Sequence, residues 1–233
     1  MVKKSIKRFV HVTENILNYV FLKEYFFKKH FLDVLEKELE SCNTILEIGA
    51  GKSSYLRLLS IPLQITAIDI HRESLEKGLR NGVFDEIIIG DAEQIEGLVP
   101  PYSFDAVVAF DFIEHLEKEN GRKFLRKSEK IARKAAIIFT PNGFLEQPPT
   151  KDNPFQEHRS GWTYEEMEKM GYSIKGINGI KCLSGMYNSS RIKPVSIGNA
   201  LRNVSAVFLR LMKMEKYSSC ILCTKKIVGN IKP

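Results

Sequence analysis

Thr44-Ile-Leu-Glu-Ile-Gly-Ala-Gly-Lys-Ser53 reads as a strand that runs into a glycine turn. Ile45 to Ile48 is apolar apart from one carboxylate, Glu47. Gly49 and Gly51 carry no Cβ, so the backbone there can turn tightly and approach a ligand. A helical pattern is expected from Ser53 to about residue 59, ended by Pro62. Strand, glycine turn and helix in that order form the opening unit of a nucleotide-binding α/β domain.

The same alternation continues downstream. Leu63 to Ile70 reads as a second strand with Asp69 near its carboxyl end, and a helix begins about His71. Glu86-Ile-Ile-Ile-Gly90 is a third strand, followed by Asp91-Ala92. Phe104-Asp-Ala-Val-Val-Ala-Phe110 is almost continuously apolar, as a strand covered on both faces must be. A helix is expected over about 118–132 and a fifth strand over Ala135–Thr140, stopped by Pro141-Asn-Gly143. Strands that alternate with helices imply a doubly wound, mostly parallel sheet. Residues 144–161 are too long for an ordinary connection, which marks a functional loop. Thr163 and Glu166 match the start of a helix. Tyr172–Lys181 and Ser219–Val228 read as a closing strand pair. Between them 195–214 is amphipathic, with Ile197, Leu201, Val204, Phe208 and Leu211 on one face.

A chain of 233 residues with 43% hydrophobic content holds one α/β domain with additions. No apolar run reaches the length of a membrane-spanning helix. The basic N-terminus lacks the apolar core and cleavage site of a secretory signal. Cys42, Cys182, Cys220 and Cys223 are scattered. Cys220 and Cys223 fall in a strand-like run with no second metal half-site, so buried thiols in a reducing, cytoplasmic compartment are expected. Charge is uneven: residues 1–30 hold seven Lys/Arg against two Glu, and 181–233 hold ten against one. The middle is acidic. Basic ends are solvated helix faces on the plain reading; on a sharper one they attract a membrane surface or a nucleic acid. Residues 9–40 have helical periodicity and many aromatics, and 1–40 is expected to be helical, packed on the domain, closing over the substrate as a lid, or lying as an interfacial helix on lipid.

The chemistry begins with two acids. A carboxylate at Asp69 suits both hydroxyls of a ribose, and one at Asp91 suits an exocyclic amine of a base. Each also precedes a helical pattern and can serve as a cap. The turn lacks a third glycine, because residue 54 is Ser54. It is not a phosphate loop either, because residue 46 is Leu46 where such a loop needs glycine. A strand-borne acid, Glu47, beside the turn suits a cationic ligand with an amino-acid tail.

Taken together, Glu47-Ile-Gly-Ala-Gly51, Asp69, Gly90-Asp-Ala92, Phe104 to Leu116 and Phe139-Thr-Pro-Asn142 resemble the class I S-adenosylmethionine-dependent methyltransferases over roughly residues 40–230. The resemblance implies a seven-stranded Rossmann-like sheet in the order 3-2-1-4-5-7-6 with strand seven antiparallel. It implies a methyltransferase domain over 41–233 with a helical insertion at 182–216. It also implies cofactor contacts from Glu47, Gly49, Ala50, Gly51, Asp69, Ile70, Asp91, Ala92, Phe110 and Asp111.

On the acceptor side, Asp111, Glu114, His115 and the distant His158 are candidates for general acid–base work. The same four are candidate ligands of a divalent metal. The run Asp111-Phe-Ile-Glu-His115 is similar to the acid-x-x-Glu-His site of small-RNA 3′-terminal methyltransferases and of ubiquinone-pathway O-methyltransferases, with Asp111 where those families often have Glu. Three functions follow as expectations. The first is methyl transfer to an oxygen or nitrogen of a small-molecule or lipid-like acceptor by a cytoplasmic protein, peripheral at a membrane on one reading. The second is metal-assisted RNA methylation. The third is a non-catalytic membrane-associated module on the same fold.

Overall fold

The computed structural model describes residues 29–149, 154–185 and 189–227. The aromatic segment before residue 29, with His11, lies outside these residues. Helix α1 covers 29–39. It is followed by β1 (Thr44–Ile48), β2 (Gln64–Asp69), α2 (Arg72–Arg80), β3 (Glu86–Ile89), α3 (Ile95–Leu98) and β4 (Phe104–Phe110). Then come α4 (Lys118–Ile131), β5 (Ala132–Pro141), α5 (Tyr164–Lys169), β6 (Ser173–Ile180), α6 (Val195–Leu211) and β7 (Ser218–Lys226).

The seven strands form one sheet in the order β3-β2-β1-β4-β5-β7-β6. The first five are parallel, and β7 runs antiparallel to both β5 and β6. This is the order and the antiparallel strand that the sequence motifs imply. Alternate residues of each strand enter separate cores. Ile45, Ile65, Val108 and Ile137 pack with Leu35 and Leu39 of α1 and Leu75 of α2. Leu46, Ile68, Val107 and Ile138 pack with Phe124 and Leu125 of α4 and Met167 of α5. Both faces are covered, which is why the strands read as unbroken apolar runs. Cys220 and Cys223 fall on opposite faces of β7 and are buried in different cores. They are strand thiols.

One expectation needs correction, and one face left open by the sequence is now assigned. The helix expected over 53–59 is a single 3-10 turn, Leu56–Leu58. Ser54 Oγ accepts from Leu56 N at 3.0 Å, and the Arg57 guanidinium reaches the carbonyls of Val83 and Leu63 and the Asp85 carboxylate. These bonds draw the chain across the strand ends, and Pro62 follows too soon for another turn. The apolar face of α6 points outward: Ile197, Leu201, Val204, Phe208 and Leu211 are exposed. The inward stripe is Gly198, Arg202, Ser205 and Leu209. A Cβ at Gly179 of β6 would meet Arg202 backbone and Ser205 Oγ. The two elements therefore approach through small residues, and Ser205 Oγ accepts from Ile180 N at 3.0 Å.

Candidate active site

The carboxyl ends of β1, β4 and β5 open into a cavity of about 1280 Å³. In open α/β sheets this is the edge where ligands bind. At β1 the chain turns through Gly49 (φ +67°) and Gly51 (φ +58°), a backbone region that disfavours other residues. A Cβ on Gly49 would run into the Phe112 ring, whereas none would be met at Gly51. Asp69, at the end of β2, holds this turn. Its Oδ2 accepts from Gly51 N at 2.9 Å and its Oδ1 from His71 N at 2.8 Å.

Glu47 is buried in β1, lines the cavity, and its Oε2 has no hydrogen-bond partner. Loss of water pushes its carboxyl up to about 8, against opposing pulls from Ser54 and Arg57. A buried acid with an unanswered oxygen beside a glycine turn can answer a cationic ligand once it gives up its proton.

The acceptor side starts at Asp111, directly after β4. Its backbone is left-handed (φ +47°), held by a bond from its N–H to Phe139 O at 2.9 Å. Its carboxylate reaches the open cavity but is ringed by protein, and that desolvation raises its pKa. A 3-10 turn, Ile113–His115, then buries Glu114 and leaves His115 half-buried. Glu114 Oε2 accepts from Thr140 Oγ1 at 2.9 Å, and Oε1 has no partner. Burial holds its carboxyl well above the usual range, and the nearby Asp111 charge adds to this.

The 144–161 segment folds back onto this turn. Arg159 N and Ser160 N both donate to the Glu114 carbonyl, at 2.8 and 3.0 Å. His158 thereby lands beside His115 with ring centroids 4.9 Å apart. His115 Nδ1 donates to Glu157 O at 2.9 Å, and His158 Nδ1 donates to Leu145 O at 2.7 Å. These carbonyls fix the proton on Nδ1, so each neutral ring carries its lone pair on Nε2. Burial lowers both pKa values, which keeps the rings neutral near pH 7. Trp162 anchors the return. It is fully buried, and its Nε1 donates to Ser160 Oγ at 3.0 Å while Lys118 Nζ sits 3.6 Å from its ring centroid. Substrate stacking on Trp162 is therefore closed off.

Among the described residues, one ligand atom each from Glu114, His115 and His158 lies within 4.8 Å of the others. A divalent cation holds such ligands at ~2.0–2.2 Å, so the set would have to draw in to hold one. The orphaned Oε1 of Glu114 and the two fixed imidazoles suit it. Asp111 shares the cavity but stands outside that trio.

The cavity gathers Glu47, Gly49, Ala50, Phe110, Asp111, Glu114, His115 and His158. Gly51 of the β1 turn stands outside its lining, as do Asp69, Ile70, Asp91 and Ala92 at the neighbouring ends of β2 and β3. Asp91 Oδ1 accepts from Glu93 N at 2.8 Å, so the cap reading of this residue is realised. Asp69 similarly bonds His71 N. Sequence reasoning missed Thr140, whose hydroxyl orients Glu114, although it sits in the quoted Phe139-Thr-Pro-Asn142 run. It also missed the aromatic wall of Phe31, Tyr55, Phe110 and Phe139, whose ring centroids lie 4.9–6.0 Å apart. That wall joins α1 to the cavity by contacts with no local signature.

Residues 46–140 match the family model of a methyltransferase domain. With the strand order, this gives the chain a methyltransferase-type domain with the fold of the class I S-adenosylmethionine-dependent methyltransferases, and S-adenosylmethionine is the cofactor that this likeness supports. An S-adenosylmethionine-dependent methyltransferase from Archaeoglobus fulgidus is similar in structure at 18% identity, with 89% of this chain and 99% of that one covered and a TM-score of 0.52. The [4+2]-cyclase SpnF is similar at 14% identity, with 86% and 82% covered and a TM-score of 0.53. The methyltransferase domain of a bacterial Hen1 protein is similar at 17% identity, with 87% and 100% covered and a TM-score of 0.50. At such identities these structures share a fold, and a cyclase among them shows that the fold leaves the chemistry open. Among curated proteins, none matches this sequence. No helix among the described residues is long and apolar enough to cross a membrane.

Proposed function

We propose that the protein transfers a methyl group from S-adenosylmethionine to an oxygen or nitrogen of a small-molecule or lipid-like acceptor. One observation carries this reading: a single cavity joins the unpartnered oxygen of Glu47, beside the glycine turn, to the His115–His158 pair. When bound, the cofactor supplies a methyl group on a positively charged sulfur. Glu47 faces the cationic end, with Gly49, Ala50 and Gly51 beneath the amino-acid tail. Asp69 and Ile70 take the ribose, Asp91 and Ala92 the base, and Phe110 and Asp111 the vicinity of the sulfonium.

Positioning of the acceptor supplies most of the rate. His115, neutral and with its lone pair on Nε2, accepts the acceptor's proton as the new bond forms, and His158 and Asp111 shape the pocket around it. The test uses S-adenosylmethionine labelled on its methyl group, incubated with the protein and fractionated cell extract. Label should enter the small-molecule or lipid fraction, and His115→Ala should abolish it. Label confined to RNA would reject the acceptor class.

A second reading is favoured by the trio Glu114, His115 and His158, which suits a divalent cation and metal-assisted methylation of RNA. It predicts that a chelator removes activity and that added salt weakens acceptor binding steeply. Activity indifferent to both conditions would leave the first reading standing.

A further inference from the structure

Helix α6 has its apolar side in solvent. Ile197, Leu201, Val204, Phe208 and Leu211 on that side are 45–77% exposed, and Val207 and Met212 extend the patch. The outward side carries no charge: of the two charged residues in α6, Arg202 is buried and Arg210 is half-buried beside the inward stripe. A contiguous stripe of this kind on a folded domain marks a contact surface.

What covers it follows from the flanks. Arg191 and Lys193 lead into α6, and Lys213 and Lys216 leave it, all exposed. The one acid among residues 181–233, Glu215, is tied to β6 through a bond from Gly176 N at 3.1 Å. A second copy of the chain would set one basic segment against another. An anionic lipid surface offers an apolar layer for the stripe and negative headgroups for the flanks. We infer that α6 docks flat on an anionic lipid surface. Arg191 and Lys216 also line the catalytic cavity, so docking sets the cavity wall against the headgroups. The consequence that the acceptor is drawn from the lipid phase rests on the methyl-transfer reading, whereas the docking does not.

The full-length protein is co-sedimented with vesicles of phosphatidylglycerol and phosphatidylcholine, and with vesicles of phosphatidylcholine alone. We expect binding about tenfold or more tighter to the anionic vesicles, weakening with salt. The double variant Val204→Glu, Leu211→Glu should lose about tenfold or more. These two positions are 67% and 77% exposed, so folding does not depend on them. Should the charges nonetheless unfold it, Val204→Ser with Leu211→Ser tests the same stripe. Absence of wild-type binding to anionic vesicles would overturn the inference, as would equal binding by a folded variant. A dimer in sedimentation velocity that the variant splits, with no vesicle binding, would overturn it in favour of a second copy. Loss of methyl transfer with vesicle binding intact would reject only the enzymatic reading.

Discussion

Glu47 and Asp69 flank the same glycine turn, but one is unsatisfied and the other is fully employed. Glu47 has an oxygen without a partner and a carboxyl pushed up to about 8, so below pH 8 the empty site holds a proton. A cationic ligand needs the carboxylate, so binding releases that proton. Affinity for S-adenosylmethionine should therefore rise with pH, approaching about tenfold per unit below pH 8, and flatten above it. Glu47→Gln should remove this part of the slope and, at pH 8, weaken binding by about tenfold or more, read by calorimetry across pH 6–9. Asp69 already braces Gly51 and His71 through both oxygens. Asp69→Ala removes that brace together with the proposed sugar contacts, which predicts a loss of about 2–4 kcal/mol in cofactor binding. Unchanged affinity would remove the sugar assignment. For His115→Ala, the proton-acceptor role predicts a rate lower by about 10²–10⁴ with cofactor affinity intact. A rate within about twofold of the parent would reject that role.

Two elements show how packing sets what a segment does. Trp162 fills the gap between α4 and the loop that returns with His158. Gly121 of α4 has no room for a Cβ against the Trp162 ring, and Lys118 covers the ring from the same helix. Trp162→Ala should cost about 3–5 kcal/mol in urea unfolding, because a fully buried indole leaves a cavity. It should also lower activity, since Ser160, two residues from His158, loses its indole partner. In α5 the cap at Thr163 forms as its spacing suggests, with Oγ1 accepting from Glu166 N at 3.1 Å. The Glu166 carboxylate turns instead to Lys118 and Arg122. That choice ties α5 to α4 and no short-range rule could supply it.

Across the whole molecule, stability and chemistry occupy opposite edges of the sheet. At the amino ends of the strands, buried Asp105 of β4 accepts from Asn43 N at 2.8 Å, from Arg133 Nε at 3.1 Å, and pairs with Lys134. These groups clamp β1, β4 and β5. Burial opposes ionisation of Asp105, but the bonds from Asn43, Arg133 and Lys134 outweigh it and hold the pKa low. A depressed carboxyl stabilises the fold above the unfolded pKa, near 3.8, and that contribution fades as pH falls through the folded value. Asp105→Ala should therefore cost about 3 kcal/mol at pH 7 and less below pH 4, measured by denaturant titration at both pH values. The opposite edge holds Glu47 and Glu114, each with an unpartnered buried oxygen, and the left-handed Asp111, all of which cost folding free energy.

The alternation of strands with helices and the glycine turn were legible from residue order, whereas the strand order and the antiparallel β7 came from the family resemblance that the motifs carry. Apolar runs, glycines and acids at strand ends are local statements about burial and backbone freedom. The membership of the site was legible in part: Asp111, Glu114 and His115 lie in one short run after β4. The meeting of His158 with His115, 43 residues earlier, depends on bonds to backbone carbonyls that carry no side-chain signature. The turn at 53–59 and the outward face of α6 could not be read either. Periodicity gives the faces of a helix, but only the neighbour decides which one is buried. Here β6 offers Gly179, and close backbone approach selects the small residues of α6 over its large apolar ones.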